Sequence, residues 1–407
     1  MRKFGHVSSV LFWAGLVAVG AGVGCNTDVD LNAPYQRTPI VFGLLEASAD
    51  THWVRINRTW LGDGNQFDAA LVADSSQYLP EEVTAIVEER QGEQVLQTFV
   101  LTDTLLENKE PGLFFGPEHQ AWYFVSPAGL NPSSSYRISV DLADGDQAQA
   151  TTNLISSVPG NITQPPSGVA TFKYGFANIG PSFTNYPDIT FKWASTAGAS
   201  RYDVSMDILV TEFIWADDAH TELLEARDRV LTWSIGSLDT NSDEGGEVLA
   251  KVVNGEQFFS FLSNRLDADT RITRSLGYWD EEDQIARALN FNLSIANDEL
   301  RTYLDVNDPV TGVIQERPEY TNISGGLGLW AARDRQSVVG IGYTSDTIEE
   351  LQNNPLTAAL NFCTPNPFSD FSCNRNGISR SQTHHALGRD FAERGNVHCQ
   401  GLWRGRF

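Results

Sequence analysis

Polar and apolar residues alternate with a period of two over long stretches of this chain. Ile189, Phe191 and Trp193 interleave with Thr190 and Lys192, and after Gly198 the pattern resumes as Tyr202, Val204, Met206 and Ile208 against Asp203, Ser205 and Asp207. Successive side chains of a strand point to opposite faces, so each run predicts a strand with one buried face, and the small-residue turn between them predicts a hairpin. Leu289, Phe291, Leu293 and Ile295 repeat the pattern against Asn290, Asn292 and Ser294. Shorter β-branched and aromatic runs predict strands at 41–45, 53–60, 83–88, 95–101, 122–125 and 136–142, the last ending at an Asp144-Gly145 turn. Helical spacing is confined to two places. Asn254 with Gln257 suits a capping box before Phe258, Phe261, Leu262 and Leu266, and Asp298 suits a cap before Leu300, Tyr303 and Leu304.

Leu130, Pro132 and Tyr136, followed by Ile138, Val140 and Leu142, resemble the tyrosine-corner segment of fibronectin type III and other immunoglobulin-like sandwiches. A Trp at 193 and a Tyr at 202 on successive strands is similar to the same fold. The expected class is therefore mainly β: an immunoglobulin/fibronectin-III-like β-sandwich domain over 38–156, then a second β-rich domain with short helical insertions over 169–362. A Ser-, Pro- and Gly-rich linker at 157–168 separates them.

The amino-terminal region breaks this pattern. Arg2 and Lys3 precede an apolar run from Val7 to Val19, small residues follow at Ala21-Gly22-Val23-Gly24, and then comes Cys25. That order is expected of a secretory signal, with Cys25 placed as the lipid acceptor of a bacterial lipoprotein, although Gly22 stands where Leu is usual. An ordinary signal cut near Gly24, or an uncleaved anchor, is the alternative. Residues 1–24 read as the signal and 25–37 as a polar tether. The apolar run falls short of the roughly 20 residues of a spanning helix.

Charge narrows the partners. Among 407 residues, 28 Lys plus Arg stand against 52 Asp plus Glu, a net charge of −24, which argues against nucleic acid and against direct adhesion to anionic lipid. The end of the chain differs: from Arg375 to Phe407 six arginines face only Asp390 and Glu393, without periodicity, so 363–407 reads as a disordered or foreign tail. With Cys25 acylated, Cys363 and Cys373 are the best placed disulfide pair in an oxidising compartment. Cys363, Cys373, His384, His385, His398 and Cys399 lack the short spacing of a specific zinc motif.

Other candidate chemistry is faint. Asp239, Asn241 and Asp243 place oxygen ligands at alternate positions, as a calcium loop does, but Gly245 falls one place late and Ala250 stands where a bidentate Glu is needed. No metal site and no cofactor is expected. Gly325-Gly326-Leu327-Gly328 has no phosphate-loop Lys and predicts instead a tight backbone path beside a neighbouring strand. The body holds only His52, His119 and His220 and no Cys before Cys363, so a Cys/His catalytic pair is excluded there. No catalytic residues are nominated and the chain is not expected to be an enzyme.

Two segments carry a family resemblance: 39–65, with Ile40-Val41-Phe42-Gly43-Leu44-Leu45 and Leu61-Gly62-Asp63-Gly64-Asn65, and 318–330, with Asn322-Ile323-Ser324-Gly325-Gly326-Leu327-Gly328-Leu329-Trp330. They resemble the opening and closing signatures of uncharacterised lipoproteins of the Bacteroidota. The resemblance implies an outer-membrane location, periplasmic or surface-exposed, and an immunoglobulin-like architecture, and it carries no catalytic residues. Asp28 and Asp30 are similar to a surface-export signal of such bacteria. The expected role is a lipid-anchored binding or accessory module of a nutrient-uptake or envelope complex, with an envelope protein, glycan or peptide as partner. An envelope assembly factor and, last, a carboxylate hydrolase are the alternatives.

Overall fold

The structure, a computed structural model, describes residues 37–61, 65–107, 109–156, 160–169, 172–280, 285–308 and 319–363. At 49% strand and 15% helix the chain is mainly β. In the first sandwich one sheet orders β1 (Pro39–Leu45), β2 (Thr51–Arg58), β6 (His119–Val125) and β5 (Thr102–Leu106). The other orders β4 (Gln94–Val100), β3 (Val83–Gln91), β7 (Ser135–Leu142) and β8 (Gln147–Asn153). Lettered along the chain, strands A, B, E and D oppose C′, C, F and G, a fibronectin type III-like arrangement. Tyr136 opens the F-equivalent strand, and its hydroxyl accepts from the Asn131 backbone N–H at 2.8 Å, the bond a tyrosine corner makes. Phe99 packs against Phe124 across the sheets at 4.9 Å.

The second sandwich repeats the plan. β9 (Ile162–Gln164), β13 (Asp188–Ala194) and β16 (Val248–Asn254) form one sheet. Opposite lie β15 (Leu223–Asp239), β14 (Arg201–Trp215), β20 (Leu289–Ala296) and β21 (Leu327–Tyr343). Phe191 stacks on Phe291 at 5.0 Å, and Trp193 meets Tyr202 at 5.6 Å, so the alternating residues of the two sheets build one core. Smaller pieces complete it: β10 (Lys173–Tyr174), the ribbon of β11 (Asn178–Ile179) with β12 (Thr184–Asn185), β17 (Ile272–Leu276), and the pair β18 (Tyr278–Asp280) with β19 (Ile285–Arg287).

Three expectations about the strands change. β13 and β14 do not pair as a hairpin; β13 pairs with β16 and β9, β14 with β15 and β20, and the turn at Gly198 carries the chain between facing sheets. Residues 162–164, read as linker, add a strand beside β13. The largest change concerns β21. Leu327–Ala332 pairs parallel with β1 of the first sandwich, whereas Arg333 onward pairs antiparallel with β20 of the second, so one strand runs through both bodies. Residues 327–332 therefore complete the first sandwich although they follow the second in sequence.

The glycines make that pairing feasible. A Cβ on Gly328, at φ +117°, would lie 2.0 Å from the Val41 carbonyl oxygen, and one on Gly325 would lie 2.1 Å from that of Gln147. Gly43 leaves room for the Trp330 ring, whose Nε1–H crosses to the Tyr136 carbonyl at 2.9 Å. Segments 39–45 and 327–330, far apart in sequence, are thus neighbouring strands. Asn297 ties the bodies further, donating from Nδ2 to Thr152 Oγ1 at 2.8 Å, and Arg333 pairs with Glu46.

Helices are short: α1 (Gln66–Ala70), α2 (Ala73–Ser76), α3 (Glu256–Arg265), α4 (Asp298–Asn307) and α5 (Ser345–Asn353). In α3, Phe258 stacks on Phe176 at 4.2 Å and Phe259 and Leu262 are also buried; the expected capping box of Asn254 with Gln257 does not form, since Gly255 is the cap residue and Asn254 Oδ1 accepts instead from the Glu256 N–H two residues on. The cap of α4 is Asn297, whose Oδ1 accepts from Leu300 N–H, rather than Asp298, which is the first helical residue.

Candidate functional site

Cys25 and Cys373 lie outside the described residues. Cys363 is disulfide-bonded, and its backbone N–H donates to the Arg274 carbonyl at 2.7 Å. The three candidate calcium ligands do not act together. Asn241 gives its backbone N–H to Glu247 Oε2 at 3.0 Å and its Nδ2 to the same carboxylate, and Asp243 offers its backbone carbonyl to Gly198 N–H. Glu247, rather than a cation, closes that loop. Among the described residues no three His, Cys, Asp or Glu side chains converge as a metal set.

What the strands do present is a rod with distinct ends. Thr59 N–H bonds to the Thr38 carbonyl, and Pro39 pairs with Arg58, so the described chain starts at the pole where β2 ends. The second sandwich lies beyond the opposite pole, because β21 leaves β1 at Leu45 and continues away.

At the far end β14 and β15 form a hairpin of 15 and 17 residues that outruns the rest of its sheet. Its first half shows one buried face, but from Leu209 to Phe213 both faces of β14 are buried, since β17 replaces β20 as its neighbour there. Glu212 sits in this stretch with no exposed surface and carries three guanidiniums: Arg274 Nε at 2.9 Å, Arg227 Nε at 2.9 Å and Arg229 Nη1 at 3.1 Å. Burial alone pulls the Glu212 carboxyl upward, but the Arg227 and Arg274 hydrogen bonds and the surrounding positive charge outweigh it and hold it below the usual carboxylate range. Arg274 spends its other N–H groups on the carbonyls of Leu360 and Asp267 at 2.8 and 3.0 Å, which fastens 358–363 to the hairpin.

The hairpin tip is equally fixed. Trp215 Nε1 donates to Thr273 Oγ1 at 2.8 Å, Thr270 Oγ1 donates to Asp218 at 2.6 Å, and hydrogen bonds from Thr221 hold the Asp217 carboxyl low. β15 is the last strand of its sheet, so one row of its backbone N–H and C=O groups pairs with no other strand among the described residues. Beside that row stand exposed Leu224 and Val230 and the partly exposed Arg227 and Arg229. A long, rigid edge with alternating apolar and charged positions is able to accept an added strand from a partner. The edge was not legible in the sequence because the length of β15 follows from its pairing with β14, and the charged residues Glu225, Arg227, Asp228 and Arg229 separate Leu223-Leu224 from Val230-Leu231.

No protein-family model matches the chain, and no curated protein matches it. Among solved structures, a biofilm-associated protein's BSP domain is similar at 7% identity and a TM-score of 0.14, over 80% of this chain and 63% of that one. The chain thus spans less than two thirds of that structure's length, and a likeness this slight bears on neither fold nor function.

Proposed function

We propose that this chain is a lipid-anchored binding or accessory module of the bacterial outer membrane, related to uncharacterised Bacteroidota lipoproteins and held by acylation at Cys25. The observation that carries the reading is polarity. The described chain begins at one pole of the first sandwich, and the exposed β15 edge lies at the far end of the second, joined through the unbroken strand β21. Such a module holds its binding edge at a set distance from the anchor and at high effective concentration beside other envelope components. The partner class that suits the edge is an extended protein segment, since main-chain bonding gives affinity and Leu224, Val230, Arg227 and Arg229 give selectivity.

Metabolic palmitate labelling of wild type and Cys25→Ala, with fractionation, tests the anchor. Photo-crosslinking residues at Leu224 and Val230 in intact cells test the edge. Labelled wild type with a discrete envelope adduct at 224 and 230, absent from an exposed control on β4 such as Val95, is the expected result. An unlabelled product that fractionates as Cys25→Ala does overturns the anchor, and a labelled product with no adduct at either edge position leaves an envelope assembly role in place of binding.

A further inference from the structure

The pole at which the described chain starts carries an apolar surface that the fold does not use. Two long connections meet there: 59–82, between β2 and β3, and 107–118, between β5 and β6, held together by Phe115 N–H bonding to the Ala70 carbonyl at 2.8 Å. Phe67, Leu71 and Val72 from the first and Leu113 and Phe114 from the second are each more than half exposed, and Trp60, just past the end of β2 at this pole, is 38% exposed. Apolar side chains scattered singly over a surface are ordinary, but a group from two bonded loops at one pole is a contact surface. Its rim is amphipathic. Lys109 Nζ lies 5.7 Å over the Phe114 ring and bonds to the Phe115 carbonyl, and Arg58 lies 5.3 Å over Tyr78 while pairing with Glu82 at 3.7 Å.

We propose that this pole docks on the lipid surface itself, with Trp60, Phe67, Leu71, Val72, Leu113 and Phe114 entering the interface between headgroups and acyl chains. The proposal rests on the anchor at Cys25. Twelve residue steps separate Cys25 from Arg37, and at full extension they reach at most about 40 Å. Arg37 pairs with Asp144 in the β7–β8 turn at the same pole, so the anchor keeps this pole nearer to the bilayer than any surface of the second sandwich. The hairpin tip cannot replace it: Arg201 is already level with Arg333, beyond β1, and the 15 residues of β14 extend a further ~50 Å at about 3.3 Å per residue. Aromatic and aliphatic side chains beside Arg and Lys are what the interfacial zone accommodates. Asp68, Asp74, Glu110 and Glu118 lie in the same loops, which selects zwitterionic over anionic headgroups, because like charges repel.

Docking would set the orientation of the rod, because a second contact beside the anchor removes its freedom to lie flat. The test uses the mature chain with residues 1–25 replaced by a histidine tag, tethered to nickel-chelating lipid in phosphatidylcholine vesicles, so that it does not depend on acylation. An environment-sensitive fluorophore is placed on Phe67→Cys, Phe114→Cys or, at the far hairpin, Leu224→Cys, each read against the parent chain carried through the same labelling. Tethering should raise emission several-fold at 67 and 114, with quenching by a nitroxide lipid, and leave 224 unchanged. Flotation of the untethered chain with the same vesicles should fall about tenfold in Phe67→Ser/Phe114→Ser, the factor expected from withdrawing apolar surface from the interface. Unchanged emission at 67 and 114 on tethered vesicles overturns the proposal, as does a rise that needs only concentrated protein and no lipid, which assigns the patch to a second copy of the chain. The two readings fail separately: absent palmitate labelling with bright 67 and 114 removes the natural anchor, and labelled Cys25 with dark 67 and 114 removes the docking surface.

Discussion

Replacing Trp330 tests whether β21 belongs to the first sandwich. The indole is fully buried against Gly43, and its Nε1–H reaches from this strand to the opposite sheet, at Tyr136 O. A Trp buries roughly 200 Å², which at about 25 cal/mol per Å² corresponds to ~5 kcal/mol of transfer free energy, and Trp→Ala substitutions in cores cost about 3–5 kcal/mol. Trp330→Phe keeps most of the apolar contact but leaves the Tyr136 carbonyl without its donor, at about 1–2 kcal/mol. Urea unfolding should therefore rank wild type, Trp330→Phe and Trp330→Ala in falling order of stability. Hydrogen exchange locates the loss. Faster exchange in Trp330→Ala should appear in 39–45, 135–142 and 327–332, with 201–208 and 289–296 nearly as slow as in wild type. Exchange raised only in the second sandwich, or a Trp330→Ala midpoint equal to that of wild type, would refute the pairing.

Gly328→Ala should cost more than Gly246→Ala in urea midpoint: both have positive φ, but only at 328 does the new Cβ strike backbone, 2.0 Å from Val41 O, while 246 opens on space. His52 is buried with Nε2 unpartnered and stacks on Phe124, and burial pulls its pKa down to about 4. The unfolded chain therefore takes up a proton that the folded chain refuses, so stability falls as pH drops from about 6.5 towards 4, by about 2 kcal/mol at pH 5. His52→Phe should remove that portion of the pH dependence, and an unchanged slope of thermal midpoint against pH would count against it. Glu212→Gln strands Arg274 in the core and should cost about 3 kcal/mol at pH 7. Because the folded Glu212 carboxyl is held low, its contribution is present above the unfolded value and is lost as pH falls through the folded one, so the gap between variant and wild type should close on acidification.

Much of the architecture could be read from local pattern. The alternations of 136–142, 189–193 and 289–295 became strands with the expected buried faces, Tyr136 formed its corner, and Phe258 and Leu262 turned α3 inward. Helix capping was less legible, since Asn297 and Asp298 are both good caps and the extended backbone at 297 made the choice. The candidate surfaces were hidden for different reasons. Phe67 and Phe114 are 47 residues apart in sequence and their loops are joined by the Phe115–Ala70 bond, while β15 is an edge because among the described residues no strand follows it in the sheet.

The chain by itself determined the alternating strands at 136–142, 189–193, 201–208 and 289–295, because a period of two is a property of neighbours along the backbone, whereas β9 and the length of β15 came from pairing. It also determined where glycine permits close approach, at 325–328. Which strands become partners was decided only in three dimensions: Ile40 pairs with Leu327 across almost the whole described chain, Tyr202 pairs with Ile295 rather than with a residue of the preceding strand, and Glu212 finds Arg274 sixty-two positions away. Pairing of that kind depends on the loop-closure entropy and packing of the entire fold, which no local stretch of sequence contains.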